Sequence, residues 1–149
     1  MCSDAFLFMF MKIPMVGFIP SHDKAKIASV KANMHQIQTM LETYAVDHQG
    51  FYPNNLPELY REAKIKKYWN DFNNPFSGSK EMDQAWMSSV QLKPINQKTG
   101  LTENVVAGAI IYDPIKDKGK ITGYYVYGAS KTENILILEI SKVYYLSNF

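Results

Sequence analysis

Ser21 to Gly50 reads SHDKAKIASVKANMHQIQTMLETYAVDHQG, and the spacing of its apolar residues decides the fold. Ile27, Val30, Met34, Ile37, Leu41 and Tyr44 follow one another at alternating steps of three and four, which puts all six on one stripe of a helix. No Pro or Gly interrupts the run between Pro20 and Gly50. Ser21 or Asp23 can cap its start, because a short oxygen-bearing side chain accepts from the first free amides. Gly50 and Pro53 close it, with Phe51 and Tyr52 as apolar plugs. The pattern predicts a helix over about 21–48 whose stripe is a core face. A second line, Ala25, Ala28 and Ala32, runs alongside. It reads either as helix propensity or as a surface that lets another helix approach closely.

Downstream, Asn55-Leu56-Pro57-Glu58-Leu59 opens a short second helix over about 56–64. The cap falls at Asn55 or Leu56, and Pro57 sits in the first turn, where a missing amide hydrogen costs little. Leu56, Leu59, Tyr60 and Ala63 give this helix one apolar side. From about 65 to 104 the chain is irregular, with a turn signal at Asn74-Pro75-Phe76-Ser77-Gly78 and breaks at Pro94 and Gly100. A loop of that length is functional or packs on the surface. The last third changes period. Ala107–Asp113, Ile121–Gly128 and Asn134–Ile140 are strand-length runs rich in β-branched and aromatic residues. Short polar connections between them favour antiparallel neighbours. The expected class is α+β: a long N-terminal helix packed against a three-stranded antiparallel sheet over about 107–141. The sheet is expected on the C-terminal half of the helix.

The chain's 149 residues suit one domain, taken as 21–149 after an apolar segment, 1–20. Ala5–Pro20 (AFLFMFMKIPMVGFIP) is apolar except for Lys12. Its 16 residues fall short of the roughly 20 that a membrane-spanning helix needs, and Pro14 would kink it. The segment reads as an end that wants burial in protein or lipid. Sixteen basic against 14 acidic residues leave a net charge of +2, with no broad footprint for nucleic acid. Cys2 is the sole cysteine, which excludes an intramolecular disulfide, and no Cys/His grouping suits a structural zinc.

Chemistry-bearing patterns are sparse. His22, His35 and His48 are thirteen residues apart, share no helical face and read as solvated helix residues. No phosphate-binding loop, dinucleotide fingerprint or nucleophile elbow occurs. Asp113 and Asp117 flank the first hairpin but supply fewer than the six to eight oxygens calcium takes, so they read as turn residues. Lys24, Lys26 and Lys31 make the early helix basic without the interleaved aromatics of a single-strand binder. Along Tyr124-Tyr125-Val126-Tyr127 the faces alternate, so only some rings can be buried. No cofactor, metal or catalytic residue is expected.

Taken in order, these pieces resemble the type IV pilin-like family, closest to the major pseudopilins of type II secretion and related short bacterial pilins. The likeness lies in the helix beyond Pro20 (Lys24 to Met34), and in Tyr44-Ala45-Val46-Asp47 leading to Gly50-Phe51-Tyr52-Pro53. It continues through Leu56-Pro57-Glu58-Leu59, the Asn74-Pro75 turn, Gly108 to Tyr112, and Gly123 to Gly128. It covers about residues 20 to 141. Family precursors carry a Gly-Phe start and a glutamate at the fifth place of an apolar span. Here the only Gly-Phe ahead of the helix is Gly17-Phe18, the fifth place is His22, and no Glu precedes Glu42. The family's calcium-binding members cluster aspartates in their last hairpin, whereas Gly128–Asn134 has only Glu133, so that site is not carried over.

What the resemblance implies is a non-catalytic structural subunit of a secretion pseudopilus or pilus-like filament in the cell envelope. It would sit at the inner membrane and periplasm or in a surface filament, with its N-terminal segment in the membrane. Its partners would be other pilin-like subunits in a homo-oligomeric filament and the assembly machinery, with nucleic acid not expected. Assembly and packing would use Ala25, Ala28, Ala32, Ile27, Val30, Met34, Ile37, Leu41 and Tyr44. The alternative is a DNA-uptake or adhesive pilin that binds a ligand through its exposed loop. A small soluble enzyme, the third class, has no convergent polar set to support it.

Overall fold

The computed structural model describes residues 21–88, 95–96, 98–139 and 142–149. The reading of 1–20 lies outside them. Helix α1 spans Ser21–Asp47, with Asp23 in its first turn, where a negative charge complements the helix dipole. Val30, Met34, Ile37, Leu41 and Tyr44 are buried and Ile27 is partly so, as the stripe predicts. The helix ends where Gln49 (φ +60°) and Gly50 (φ +87°) turn left-handed. There the Gly50 amide donates to the Ala45 carbonyl at 2.9 Å, a six-to-one closure that caps the last turn. The Tyr52 amide then donates to the Ile121 carbonyl, fastening the chain to the sheet.

Helix α2, Leu56–Ile65, begins at Asn55, whose side chain accepts from the Glu58 amide at 2.9 Å. The Glu58 carboxylate in turn accepts from the Asn54 amide and side chain at 3.0 Å, which ties the residue ahead of the cap to the first turn. Leu56, Leu59 and Ala63 face the core, while Tyr60 stays partly exposed.

The sheet follows the sequence in part. Strands β1 (Ile110–Asp117) and β2 (Lys120–Gly128) pair antiparallel. They are joined by Lys118 and Gly119, both at positive φ, as a two-residue type I′ turn requires. The first strand therefore starts three residues later than its apolar run and continues through Lys116 and Asp117. The third strand is not Asn134–Ile140. After Leu136 the chain forms β3 (Leu138–Glu139) and β4 (Lys142–Val143), a short hairpin that returns it to the sheet. Strand β5 (Tyr145–Ser147) then takes the place beside β2, giving the order β1-β2-β5.

The physical reason is that the NILILEI run is needed for packing on both sides. Ile137 joins the core between helix and sheet, whereas its neighbour Leu136 joins a second cluster with Val105, Ile111, Tyr127 and Val143. The sheet packs on the C-terminal half of α1, as expected, where Gln38 donates to the Ser147 carbonyl, and its contact also extends back toward the middle of the helix. Gly128 of β2 lies against Val30 and Met34, and Tyr124 reaches Glu42. The flank of the last helical turn belongs to α2, through Tyr44–Glu58 and His48–Glu62.

Within 66–104 the described residues include no helix or extended strand, but the segment is packed. Buried Asn74 organises it. Its Nδ2 donates to the Gln84 carbonyl (2.8 Å) and the Ala107 carbonyl (2.7 Å), and its Oδ1 accepts from the Phe76 amide (2.9 Å). Around Trp86 the loop runs along the start of β1: the Ile110 amide donates to Ala85 O and the Met87 amide to Ile110 O.

Candidate functional site

Two faces of α1 carry the residues singled out from the sequence, and the fold separates them. The apolar stripe is spent inside the domain. Ala25, Ala28 and Ala32 are exposed, and the exposed line continues beyond them through His35, Thr39, Glu42 and Val46. Ala25, Ala32, Thr39 and Val46 are seven residues apart, as are Ala28, His35 and Glu42. This is the a/d spacing of a helix-packing seam, running most of the length of the helix.

Three properties of the seam go beyond spacing. Val46, at its C-terminal end, is 83% exposed. Glu42 is its single formal charge, and the carboxylate is held by the hydroxyls of Tyr124 (2.7 Å) and Tyr52 (3.1 and 3.3 Å). On the seam the Thr39 hydroxyl, and beside it those of Ser29 and Thr43, fold back onto the carbonyls four residues earlier at 2.9–3.0 Å, so their O–H donors are satisfied within the helix. A solvated helix face normally carries Lys, Glu and Arg; this one is small and nearly uncharged. The continuation past Ala32 was missed in the sequence, although the same steps of three and four would have led from Ala32 to Val46.

The basic residues diverge. Lys26 Nζ lies 5.5 Å from the centre of the Phe76 ring and Lys31 Nζ 4.3 Å from that of Tyr144, while Lys24 is exposed. They do not form one patch.

At the C-terminal end of α1 a polar cluster joins the two helices. His22 and His35 are exposed, but His48 is not a solvated helix residue. It lies beyond the last helical turn, stacked on Tyr44 at 3.8 Å between ring centres, with Nε2 2.7 Å from both Glu62 carboxylate oxygens. Lys66 Nζ donates to Glu62 (2.7 Å) and Asp47 (3.1 Å). Burial alone would raise the Glu62 carboxyl, but hydrogen bonds from Lys66 and His48 outweigh it and hold the group below the ordinary carboxylate range. Glu58 is lowered likewise: burial opposes, and the Asn54 amide, the Asn54 side chain and the Tyr44 hydroxyl prevail. Burial and the bond to Glu58 push Tyr44 well above the ordinary phenol range. Each carboxylate is thus occupied by protein donors, and the cluster works as a joint between α1 and α2.

On the outer sheet face, Asp113 is half-buried opposite Tyr125, and burial raises its carboxyl. Asp117 is exposed at the end of β1. Among the described residues no His/Cys/Asp/Glu group is arranged to hold a metal ion, and no helix is long and apolar enough to cross a membrane.

No family model, curated protein or solved structure matches the chain.

Proposed function

We propose that the protein is a non-catalytic structural subunit of a pilin-like filament of the cell envelope, a secretion pseudopilus or a pilus, with the exposed seam of α1 packing against helices of neighbouring subunits. The observation that supports this reading is the seam itself. The domain buries one face of α1 fully and leaves the opposite face small, nearly uncharged and internally hydrogen-bonded from Ala25 to Val46. Small side chains allow backbones to approach closely, and hydroxyl donors satisfied within the helix lower the desolvation cost of bringing two such faces together.

The alternative, a DNA-uptake pilin, draws less support because the early lysines point to different rings rather than to one surface. Photo-cross-linking of the full-length chain in the envelope of producing cells tests the assembly reading. Ala28→benzoylphenylalanine should give covalent multimers on irradiation, and the same substitution at Lys118, on the hairpin tip, should give none. Monomers alone from position 28 would exclude this packing face.

A further inference from the structure

We propose that the groove between α2 and the loop from Asp71 to Trp86 is a binding site for an amphipathic organic anion, a flat apolar body carrying one carboxylate or sulfonate. The groove has a volume of about 620 Å³, within the range of small-molecule sites. Its floor is apolar: Trp86 is 4% exposed, with Tyr60 (37%) and Met82 (51%) as walls open to solvent. An exposed methionine beside aromatic rings offers a polarizable surface that adapts to a flat ligand.

The floor is preorganised. Tyr60, Trp69 and Trp86 pack mutually, with ring centres 4.8–5.6 Å apart. Trp69 Nε1 donates to Asp71 at 2.9 Å, and Lys64 pairs with the same carboxylate at 3.6 Å, tying α2 to the loop across the groove.

Charge selects the ligand's sign. Lys64 and Asp71 neutralise each other, which leaves Arg61, Lys80 and Glu81 on the rim. None of these three makes a close ion pair among the described residues, although the Arg61 charge also acts on Glu58 of the same helix, and the lining as a whole holds three cations against two carboxylates. Arg61 presents a planar fork suited to a carboxylate or sulfonate. A neutral apolar ligand would leave those cations unused, and a cation would meet a rim with a net positive charge. This site is independent of the α1 seam and of any filament.

The chain's two tryptophans, Trp69 and Trp86, both belong to this cluster and report its occupancy directly. The test titrates the full chain with anilinonaphthalene sulfonate, the anionic probe, and with N-phenylnaphthylamine, its neutral counterpart, following energy transfer from tryptophan. The anion should bind with the higher affinity. Replacing Arg61→Ala and Lys80→Ala together should weaken it about fivefold or more, Glu81→Gln should tighten it, and neither should change binding of the neutral probe. Met82→Glu should abolish anion binding, and because Met82 is exposed, the fold should persist by circular dichroism. Equal affinity for the two probes, or an anion affinity indifferent to Arg61 and Lys80, would overturn the proposal.

Discussion

The carboxamide of Asn74 occupies the space where a β-carbon on residue 108 would stand. Gly108 has φ +77°, and a β-carbon there would collide with Asn74 Oδ1 and come within 2.8 Å of the Phe76 ring. Thirty-four positions separate the two residues, and each is required by the other. The glycine leaves room for the amide that holds three loop segments together.

Gly108→Ala should therefore destabilise the domain by roughly 2–4 kcal/mol, combining positive φ with a displaced hydrogen-bond network. Asn74→Ala should cost about 1–3 kcal/mol, since the buried carbonyls of Gln84 and Ala107 lose their donor. The double variant should fall short of the sum, because removing the amide relieves the collision. Urea denaturation of all four proteins closes the cycle, and strict additivity would mean that the two residues act separately.

The buried stripe of α1 makes a simple contrast. Ile37 is fully buried, so Ile37→Ala should lose about 2–5 kcal/mol. Lys24 is exposed, and Lys24→Ala should stay within about 0.5 kcal/mol. Lys31→Ala should lie between, near 0.5–1 kcal/mol, because its ammonium sits over the Tyr144 ring. Equal denaturation midpoints for the three would contradict this assignment of the stripe.

Acid should act on the joint between the helices. The carboxyls of Glu58 and Glu62 are held below their unfolded values, so they bind fewer protons folded than unfolded. Their contribution is complete above about pH 5 and is lost as pH falls below about 4, through their lowered folded values. Glu62→Gln should flatten the fall of stability over that acid range. An unchanged pH profile would show that the bonds from His48 and Lys66 contribute nothing to folding.

Assembly gives the fourth test. Ala28→Lys leaves an exposed site exposed and keeps a good helix former, so stability should change by no more than about 0.5 kcal/mol. Sedimentation of filaments from producing cells should nevertheless fall sharply, because a charge would be trapped between packed helices. Normal filament yield would exclude this face from the contact. Loss of folding would place Ala28 in the core instead.

The sequence by itself determined the elements whose signal is local. Steps of three and four from Ile27 to Tyr44 specify α1 and its buried face, Asn55 and Pro57 specify the start of α2, and the short polar connection ahead of Ile121 specifies that the first two strands pair antiparallel. Each rests on neighbours a few residues apart, so periodicity and turn chemistry suffice. Tertiary structure alone decided which strand completes the sheet, because Asn134–Ile140 and Tyr145–Ser147 both have strand composition. The choice fell to where Leu136 and Ile137 could be buried on opposite sides. It also decided that Asn74 is a buried brace and not merely a turn residue, since its partners at Gln84 and Ala107 are distant in sequence. The groove and the open seam of α1 have the same origin. A helix pattern says which residues share a face, but which face is covered depends on the elements that arrive to cover it.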